Sequence, residues 1–368
     1  MKNQESLLRV LHVLPTRASE FGGPVFVAEA LVEELKQQGV EAMLYPPLIK
    51  NGQRTSFIEI PELVRRSNLV HIHGLWNLPA LIAARTARIA GIPYIVTPHG
   101  MLDRWSLQRS KLKKLVYGFF FERKNLLAAA SVHFLNKEEQ NEAEDYGIQI
   151  KSFVLANGVV AENYTSLPDR MNFLQHHIKL ENKVLALFLG RLHPKKGFDI
   201  LLPALAKAVV KAPNLHLLIA GPDEVQYKTE LLKMVDQYHL IENVTFLGMV
   251  QGKVKKEILS AADFFVLPSH QEGDSIAVKE AMASELPVAI TPACHFPEVM
   301  AQNAGLVVRP DVYEWSRVLI QLTEDGRSRR KMGMNAVKLI DEHYTWRRIT
   351  GTLKRIYEDI IERGHYNG

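Results

Sequence analysis

The stretch DFFVLPSHQEGDSIAVKEAMASELPVAIT, residues 263–291, holds an apolar run, a polar loop, a helical segment and a second apolar run. The two runs are short and rich in Val, Ile and Phe, which favours buried strands. The pattern predicts a helix that begins near Asp274 or Ser275 and ends near Ser284. Glu280 then lies on this helix, whereas Glu272 lies in the loop before it. Taken alone, the stretch also fits a surface loop with two solvated carboxylates.

The same alternation of apolar runs and helix-length amphipathic stretches extends along most of the 368 residues. The first half runs from LRVLHVLP, residues 8–15, to SFVLANG, residues 152–158, and the second half resumes at VLALFLG, residues 184–190. Alternating strands and helices are typical of parallel sheets that are covered on both faces. The polar stretch 160–183 has no clear period, and we interpret it as a linker and domain entry.

The chain is therefore expected to be an α/β protein with two doubly wound, Rossmann-like parallel-sheet domains that face each other across a cleft. The expected bounds are 1–165 for the N-terminal domain and 166–347 for the C-terminal domain. Such a cleft is the usual ligand site in this fold class, at the carboxyl ends of the strands.

Composition narrows the class of protein further. The chain is 47% hydrophobic and 23% charged, which is typical of globular domains. We expect no spanning helix and no secretion signal, because no long apolar run occurs and the first residues are polar. The single cysteine, Cys294, excludes an internal disulfide and a Cys-rich metal site, and fits a reducing cytoplasm.

Four stretches follow predicted strands and carry candidate binding residues. Gly22 and Gly23 in FGGP would let a ligand approach the backbone at a helix N-terminus. His99 in TPHG could donate a hydrogen bond to a sugar hydroxyl or to a developing charge. Arg191 and Lys196 in GRLHPKKG could converge on a diphosphate. Each stretch alone also fits an ordinary turn.

The fourth stretch is EGDSI, residues 272–276. Backbone N–H groups around Gly273, Asp274, Ser275 and Ile276 would face a phosphate at the helix start. Glu280 could accept hydrogen bonds from ribose hydroxyls, and Glu272 could accept them from a sugar. Together, the cations, the helix N-terminus and the carboxylates indicate a nucleotide-sugar site.

These motifs resemble the GT-B glycosyltransferases of family GT4, the large retaining group. The E-x7-E motif is present as Glu272 and Glu280, and GRLHPKKG is similar to the family's GR-x4-KG phosphate element. FGGP and TPHG resemble its first Gly-rich loop and the segment that bears its sugar-contacting His. The resemblance covers nearly the whole chain, and it is specific to the family but not to the donor or the acceptor.

The resemblance implies a retaining transfer of a hexose from a nucleotide sugar, with a UDP-hexose such as UDP-glucose as the first expectation. No metal is expected, because Arg191 and Lys196 can stabilise the leaving diphosphate. The N-terminal domain would bind a lipid-linked or oligosaccharide acceptor of bacterial exopolysaccharide or cell-surface glycan synthesis. The C-terminal domain would bind the nucleotide sugar, and residues 348–368 would cross back onto the N-terminal domain.

Several alternatives remain on the same two-domain plan. They are a GDP-mannose-dependent mannosyltransferase, a UDP-sugar 2-epimerase, a sugar phosphorylase, a two-lobed solute-binding protein, and a nucleotide-binding scaffold without turnover. One departure from the family concerns Asp274, where relatives often carry an aromatic residue or Gly. Because an anionic side chain repels a diphosphate, Asp274 is expected to point away, cap the helix or contact a sugar hydroxyl.

The segment 104–124 is strongly basic. It holds seven Lys or Arg and one Glu, a local net charge of +6, whereas the whole chain carries +5. A basic amphipathic helix with several Phe can lie at an anionic membrane surface, and it can equally pack its apolar face on a sheet. We expect reversible association with the inner face of the plasma membrane and no nucleic-acid partner.

Overall fold

The computed structural model describes residues 7–17, 23–46, 57–102, 122–145 and 150–366. The chain divides into two compact units, of which the first comprises residues 1–158 and 346–368 and the second residues 159–345. The first unit ends at residue 158 rather than at the expected 165, and its C-terminal part begins at 346 rather than at 348. Gly22 and most of the basic segment 104–124 lie outside the described residues. No described helix is both long enough and apolar enough to span a membrane.

The first unit contains a parallel sheet whose described strands are β1 Arg9–Val13, β2 Glu41–Tyr45, β3 Leu69–His73, β4 Tyr94–Thr97, β5 Ser131–Phe134 and β6 Ser152–Val154. Their order is β2-β1-β3-β4-β5-β6. The strand β2 has no counterpart among the apolar runs recognised in the sequence. The order changes direction between β1 and β3, so the loops after these two strands leave the sheet on opposite sides.

Five described helices connect these strands: α1 Gly23–Gln37, α2 Ile60–Arg65, α3 Leu78–Ala90, α4 Arg123–Leu127 and α5 Lys137–Asp145. The ends of α3 show how local chemistry sets the bounds. The side chain of Asn77 accepts a hydrogen bond from the N–H of Ala80 at 2.9 Å, and Gly91 ends the helix with a φ of 67°. An Asx cap and a left-handed glycine are the expected start and stop of a helix.

The second unit contains a parallel sheet with the strands β7 Val184–Leu189, β8 Leu215–Ala220, β9 Val244–Gly248, β10 Phe264–Leu267, β11 Val288–Ile290 and β12 Gly305–Val307. Their order is β12-β11-β10-β7-β8-β9. This is the strand order of a Rossmann domain, with the switch point between β7 and β10. Every residue of β8 and β10 is buried, as expected of central strands covered on both faces.

The helices of the second unit are α6 Met171–Leu174, α7 Phe198–Val209, α8 Lys228–Gln237, α9 Gly252–Ala261, α10 Ile276–Ala283, α11 Glu298–Ala301, α12 Val312–Glu324 and α13 Gly326–Leu339. The amphipathic α12 packs against α7. Asp311 caps α12 by accepting hydrogen bonds from the N–H groups of Tyr313 and Glu314, both at 2.9 Å. A π-helical turn, Ile340–Tyr344, follows α13.

The interpretation of residues 160–183 as a linker is wrong. This stretch contains α6 and two 3₁₀ turns, Ala161–Asn163 and Ile178–Leu180. Five of its apolar side chains lie in the core of the second unit: Ala161, Tyr164, Phe173, Leu174 and Leu180. Because each one-turn element buries only one or two side chains, the sequence shows no 3.6-residue period even though the segment is packed.

The C-terminal helix α14, Trp346–Tyr366, belongs to the first unit. Gln38, just after α1, donates hydrogen bonds from Nε2 to the Arg347 carbonyl at 3.0 Å and to Thr350 Oγ1 at 2.5 Å. Lys354 Nζ donates to the Gln38 carbonyl at 3.1 Å. Gln38 therefore holds the end of α1 against α14 through polar contacts.

Gly158 is expected to be essential for the start of α14. An ideal Cβ at this position would lie 2.7 Å from the backbone nitrogen and Cα of Trp346. Gly158→Ala should therefore lower the free energy of unfolding by about 1–3 kcal/mol, the usual cost of overpacking. Urea unfolding followed by circular dichroism measures this loss.

Gly351→Ala is the matched control within α14. A Cβ there would meet Gln38 Oε1 at 3.6 Å, an ordinary contact. This variant should be more stable than wild type by about 0.5–1 kcal/mol, because Ala is the better helix former. Gly158→Ala with wild-type stability would contradict the close approach at Trp346.

Candidate active site

The loop after β7 packs against the end of β10. It runs from Gly190 to Gly197 and contains a 3₁₀ turn, Pro194–Lys196, which His193 caps by accepting a hydrogen bond from the N–H of Lys195 at 3.1 Å. Gly197 has a φ of 75°, and a Cβ there would lie 1.9 Å from the carbonyl oxygen of Pro268. Only glycine fits this position, because both the backbone conformation and the space exclude a side chain.

This packing brings Lys196 to Glu272. Lys196 Nζ lies 2.5 Å from Glu272 Oε1, and the side chains are 18% and 10% exposed. Ser269 Oγ donates to the same oxygen at 2.6 Å. The contact joins the loops after β7 and β10, at the switch point of the sheet. Open α/β sheets bind ligands at such a point, so these residues mark the candidate site.

Arg191 does not join this contact in the structure. Its Nη1 lies 3.3 Å from Glu224 Oε2, and its side chain is 59% exposed. The two cations that the sequence singled out therefore have different carboxylate partners. Such an exposed pair contributes little to stability, so Arg191 can exchange Glu224 for another anion at small cost.

Asp274 is paired with a lysine one turn into α10. Its Oδ1 accepts from Nζ of Lys279, whose side chain is only 1% exposed. The same Nζ lies 5.3 Å from the ring centroid of Tyr344 and 5.6 Å from that of Phe296. Burial lowers the pKa of Lys279, and Asp274 acts in the opposite direction. The charge of Asp274 is thus directed at Lys279 and is offset there.

The helix α10 begins at Ile276, close to the expected start. Ser275 occupies the N-cap position, but its side chain makes no capping hydrogen bond. The N–H groups of a first helical turn have no acceptor within the helix. The N-terminus of α10, next to Gly273, is therefore suited to an anionic group.

Glu280 is buried on α10 and holds two donors. Its Oε1 accepts from Tyr164 Oη at 2.8 Å and from Lys255 Nζ at 2.6 Å. Burial raises the pKa of Tyr164, and the adjacent Glu280 raises it further. Sequence reasoning missed both partners, because Tyr164 lies in the supposed linker and Lys255 is one of several lysines on α9.

His99 lies in the other unit, directly after β4. It adopts a left-handed backbone conformation with a φ of 54°, followed by Gly100 with a φ of 74°. The N–H of Gly100 donates to Glu139 Oε1 at 2.6 Å, which holds this turn in place. Burial lowers the pKa of His99 to about 3, and nearby His133 adds to the effect, so the ring is neutral at pH 7. Gly23, the other candidate described in this unit, is the first residue of α1.

Two family models match the chain. The model "Glycosyl transferases group 1" matches residues 169–339, and "Glycosyl transferase 4-like domain" matches residues 58–158. The first match lies within the second unit, and the other lies within the first unit.

Curated relatives include a GDP-mannose-dependent monoacylated alpha-(1-6)-phosphatidylinositol monomannoside mannosyltransferase of Corynebacterium glutamicum. It is 25% identical over 325 residues, which is 83% of this chain and 81% of the relative. One subunit of the human phosphatidylinositol N-acetylglucosaminyltransferase is 23% identical over 300 residues, which is 80% of this chain and 58% of the relative.

Among solved structures, Anabaena HepE in complex with UDP and glucose has a TM-score of 0.77 at 18% identity, covering 96% of this chain and 100% of that chain. Sucrose-phosphate synthase from Thermosynechococcus elongatus has a TM-score of 0.75 at 17% identity, covering 97% and 100%. These similarities confirm the GT-B fold expected from the sequence.

The buried pair of Asp274 and Lys279 gives a prediction on stability. Asp274→Asn removes the counter-charge of a buried ammonium group, and it should cost about 3–5 kcal/mol of unfolding free energy. The double variant Asp274→Asn/Lys279→Met should recover a large part of this loss, because no unpaired charge remains. Urea unfolding of the two variants measures the difference.

Arg309→Met provides the control. Arg309 forms an ion pair with Glu314, and the side chain of Arg309 is 79% exposed. This variant should unfold like wild type. A double variant that is less stable than Asp274→Asn alone would show that the pair is not held together by compensation of charge.

The chain thus has two sheets of GT-B type, a contact between Lys196 and Glu272 at the switch point of the second sheet, and a family match in each unit. It is a glycosyltransferase, with one region that matches the group 1 model and another that matches the 4-like model.

Proposed function

We propose that this enzyme transfers a hexose from a UDP-hexose to a lipid-linked or oligosaccharide acceptor, with retention of the anomeric configuration. The observation that carries the proposal is the contact between Lys196 and Glu272, beside the N-terminus of α10. It places a cation, a carboxylate and a helix N-terminus at the switch point of one sheet. A nucleoside diphosphate and its sugar need these three partners.

The donor diphosphate would lie between Lys196 and the first turn of α10. Binding would draw Lys196 from Glu272 to the phosphate oxygens and free Glu272 to accept from sugar hydroxyls. Arg191, exposed and only loosely paired with Glu224, would add a second cation. Glu280 would use its second oxygen, Oε2, for the ribose, since Tyr164 and Lys255 hold Oε1.

In the reaction, the bond between the sugar C1 and the phosphate oxygen breaks. The acceptor hydroxyl forms the new bond to C1 on the same face, and its proton goes to the departing phosphate oxygen. Lys196 and Arg191 stabilise the negative charge that develops on the leaving diphosphate, a task that a metal ion performs in other enzymes. The neutral ring of His99 would donate to the sugar as the resemblance to family GT4 implies.

The acceptor is proposed to be attached to a membrane lipid. The names of several relatives refer to phosphatidylinositol or a derivative of it, including those of the proteins from Corynebacterium glutamicum and human. The N-terminal unit would receive this acceptor at the inner face of the membrane, and the basic segment 104–124 would contribute the attraction to anionic lipid.

A GDP-mannose-dependent mannosyltransferase is the second candidate. The name of the relative that is 25% identical over 325 residues specifies GDP-mannose. The two candidates differ only in the base and the sugar of the donor, and the residues described above would bind the diphosphate of either one.

Thermal unfolding with UDP and with GDP should distinguish the two donors. A nucleotide at a hundredfold excess over its Kd stabilises the folded protein by about 2.7 kcal/mol. UDP is expected to raise the melting temperature, and GDP at the same concentration is not. Stabilisation by GDP alone would replace the UDP-hexose by GDP-mannose, and no shift with either nucleotide would overturn the proposed donor site.

Lys196→Ala should lower turnover by about 100-fold, the usual effect of removing one preorganised stabiliser of developing charge. Release of UDP from UDP-glucose in the presence of a polyprenyl-phosphate acceptor measures it. The control is Lys207→Ala, because Lys207 on α7 lies over the ring of Tyr313, 4.6 Å from its centroid, and outside the candidate site. Wild-type turnover in Lys196→Ala would place the diphosphate elsewhere.

A further inference from the structure

Five imidazole rings lie close together in the first unit. They belong to residues on β1, β3 and β5 and after β4: His12, His71, His73, His99 and His133. His12 on β1 is the register partner of His71 on β3, and His73 is the register partner of Thr97 on β4. Register partners in neighbouring parallel strands point to the same face of a sheet, as do residues two apart in one strand. His12, His71 and His73 therefore share one face, at the switch point of this sheet.

These three rings are fully buried and in contact. The centroids of His71 and His73 lie 4.5 Å apart, and those of His12 and His71 lie 5.0 Å apart. His12 Nδ1 lies 3.0 Å from His73 Nε2. One ring nitrogen from each of the three residues lies within 4.8 Å of the others. Three ring nitrogens, one from each residue, are thus close enough together for a single ion to lie between them.

We propose that His12, His71 and His73 form a binding site for a divalent transition-metal ion such as Zn²⁺ or Co²⁺. An H-x-H pair on one strand and a third His in register on the next strand supply three ligands on one side of an ion. Imidazole nitrogens suit Zn²⁺, Cu²⁺ and Ni²⁺ and do not suit Mg²⁺ or Ca²⁺, which prefer oxygen. Bonds of about 2.0–2.1 Å to a tetrahedral ion place two ligand nitrogens about 3.3 Å apart, close to the present spacing of His12 and His73.

Two of the ligands already have the orienting partners that such sites use. His71 Nδ1 lies 2.5 Å from Tyr357 Oη on α14, and His73 Nδ1 lies 3.0 Å from His99 Nε2. A hydrogen bond to one ring nitrogen fixes the tautomer and directs the other nitrogen to the metal. The ligand atom of both His71 and His73 is therefore Nε2.

The third ring shows that hydrogen bonding alone does not account for the cluster. His12 Nε2 is buried and has no hydrogen-bond partner among the described residues. A buried, unsatisfied polar atom is costly. The hydrogen bonds of the cluster therefore leave one ring nitrogen unsatisfied.

Metal binding requires two hydrogen bonds to be given up and one route of entry. The bond between His12 Nδ1 and His73 Nε2 would be replaced by bonds from both atoms to the ion. His71 Nε2 now lies 2.6 Å from Thr97 Oγ1 and must release it, whereas Thr97 keeps His133 Nδ1 at 3.0 Å. His99 is half-buried and follows His73 in the chain of hydrogen bonds, so the ion would enter past His99. The ion would tie β1 to β3 and, through Tyr357, the sheet to α14.

The site shares one residue with the proposed donor site, because His99 bonds to His73 and is also proposed to donate to the sugar. Its ligands lie in the first unit, whereas Lys196 and Glu272 lie in the second. The sequence-based expectation that no metal is needed concerns the donor diphosphate. A metal at the His cluster would stabilise the first unit and would take no part in the neutralisation of a diphosphate.

The test is metal content and affinity in the tag-free, full-length protein. The protein is stripped with a chelator, loaded with Zn²⁺ either in the folded state or during refolding from urea, and analysed by mass spectrometry of the metal. Wild type should retain one Zn²⁺ per chain more than the double variant His12→Gln/His73→Gln. Co²⁺ loading should give the visible absorption of a tetrahedral nitrogen site. Equal metal content in wild type and the double variant, after both loading procedures, would overturn the proposal.

Two single variants keep the test valid if the double variant does not fold. Tyr357→Phe removes only the hydroxyl that orients His71, and it should weaken Zn²⁺ binding by about 10–100-fold. His133→Gln changes a buried histidine that is not among the three ligands, and it should leave the affinity for Zn²⁺ within about twofold of wild type. An unchanged affinity in Tyr357→Phe, or an equal loss in both variants, would refute the assignment of the ligands.

Discussion

The geometry of the candidate site in the second unit depends on the contact between Lys196 and Glu272. These residues are 76 positions apart in the chain, and they meet because β7 and β10 are neighbours at the switch point of the sheet. Gly197 makes the meeting possible, since any side chain there would collide with the carbonyl of Pro268. A left-handed glycine and the strand order together set the position of one lysine, and that lysine pairs with the first glutamate of the E-x7-E motif.

Buried charges then hold α10 in a single orientation. Lys279 and Glu280 are consecutive residues, and both are buried. Each is matched by partners of its own, Asp274 for the lysine, and Lys255 with Tyr164 for the glutamate. Buried pairs of this kind contribute little net stability compared with apolar residues, but an incorrect placement leaves an unpaired charge and costs several kcal/mol. A misplaced α10 would therefore leave unpaired charges as well as expose apolar side chains such as Val278 and Met282.

The first unit shows the same use of polar groups inside a sheet, with neutral rings in place of charges. Histidines on three strands share one face, and the hydroxyl of Tyr357 reaches them from α14. Burial lowers the pKa of His12 to about 3 and that of His71 and His73 well below the usual value. The rings are consequently neutral at pH 7 and can pack together. Through Tyr357, the end of the chain is connected to strands formed by its beginning.

The sequence by itself determined the α/β class, the alternation of strands and helices, and the placement of Glu272, Lys196 and His99 just after strands. Periodicity and motif spacing are local properties, and they are readable without a fold. The helix at residues 276–283 was located for the same reason. The packed segment 160–183 was mistaken for a linker, because its one-turn helices have no period to detect. Only the tertiary structure decided that Lys196 meets Glu272 while Arg191 meets Glu224, that Asp274 faces Lys279, and that three histidines converge. Some of these pairings join residues that are far apart in the chain, and the strand order decides them. The others depend on which side chains become buried, and packing decides that. No local sequence pattern encodes strand order or packing.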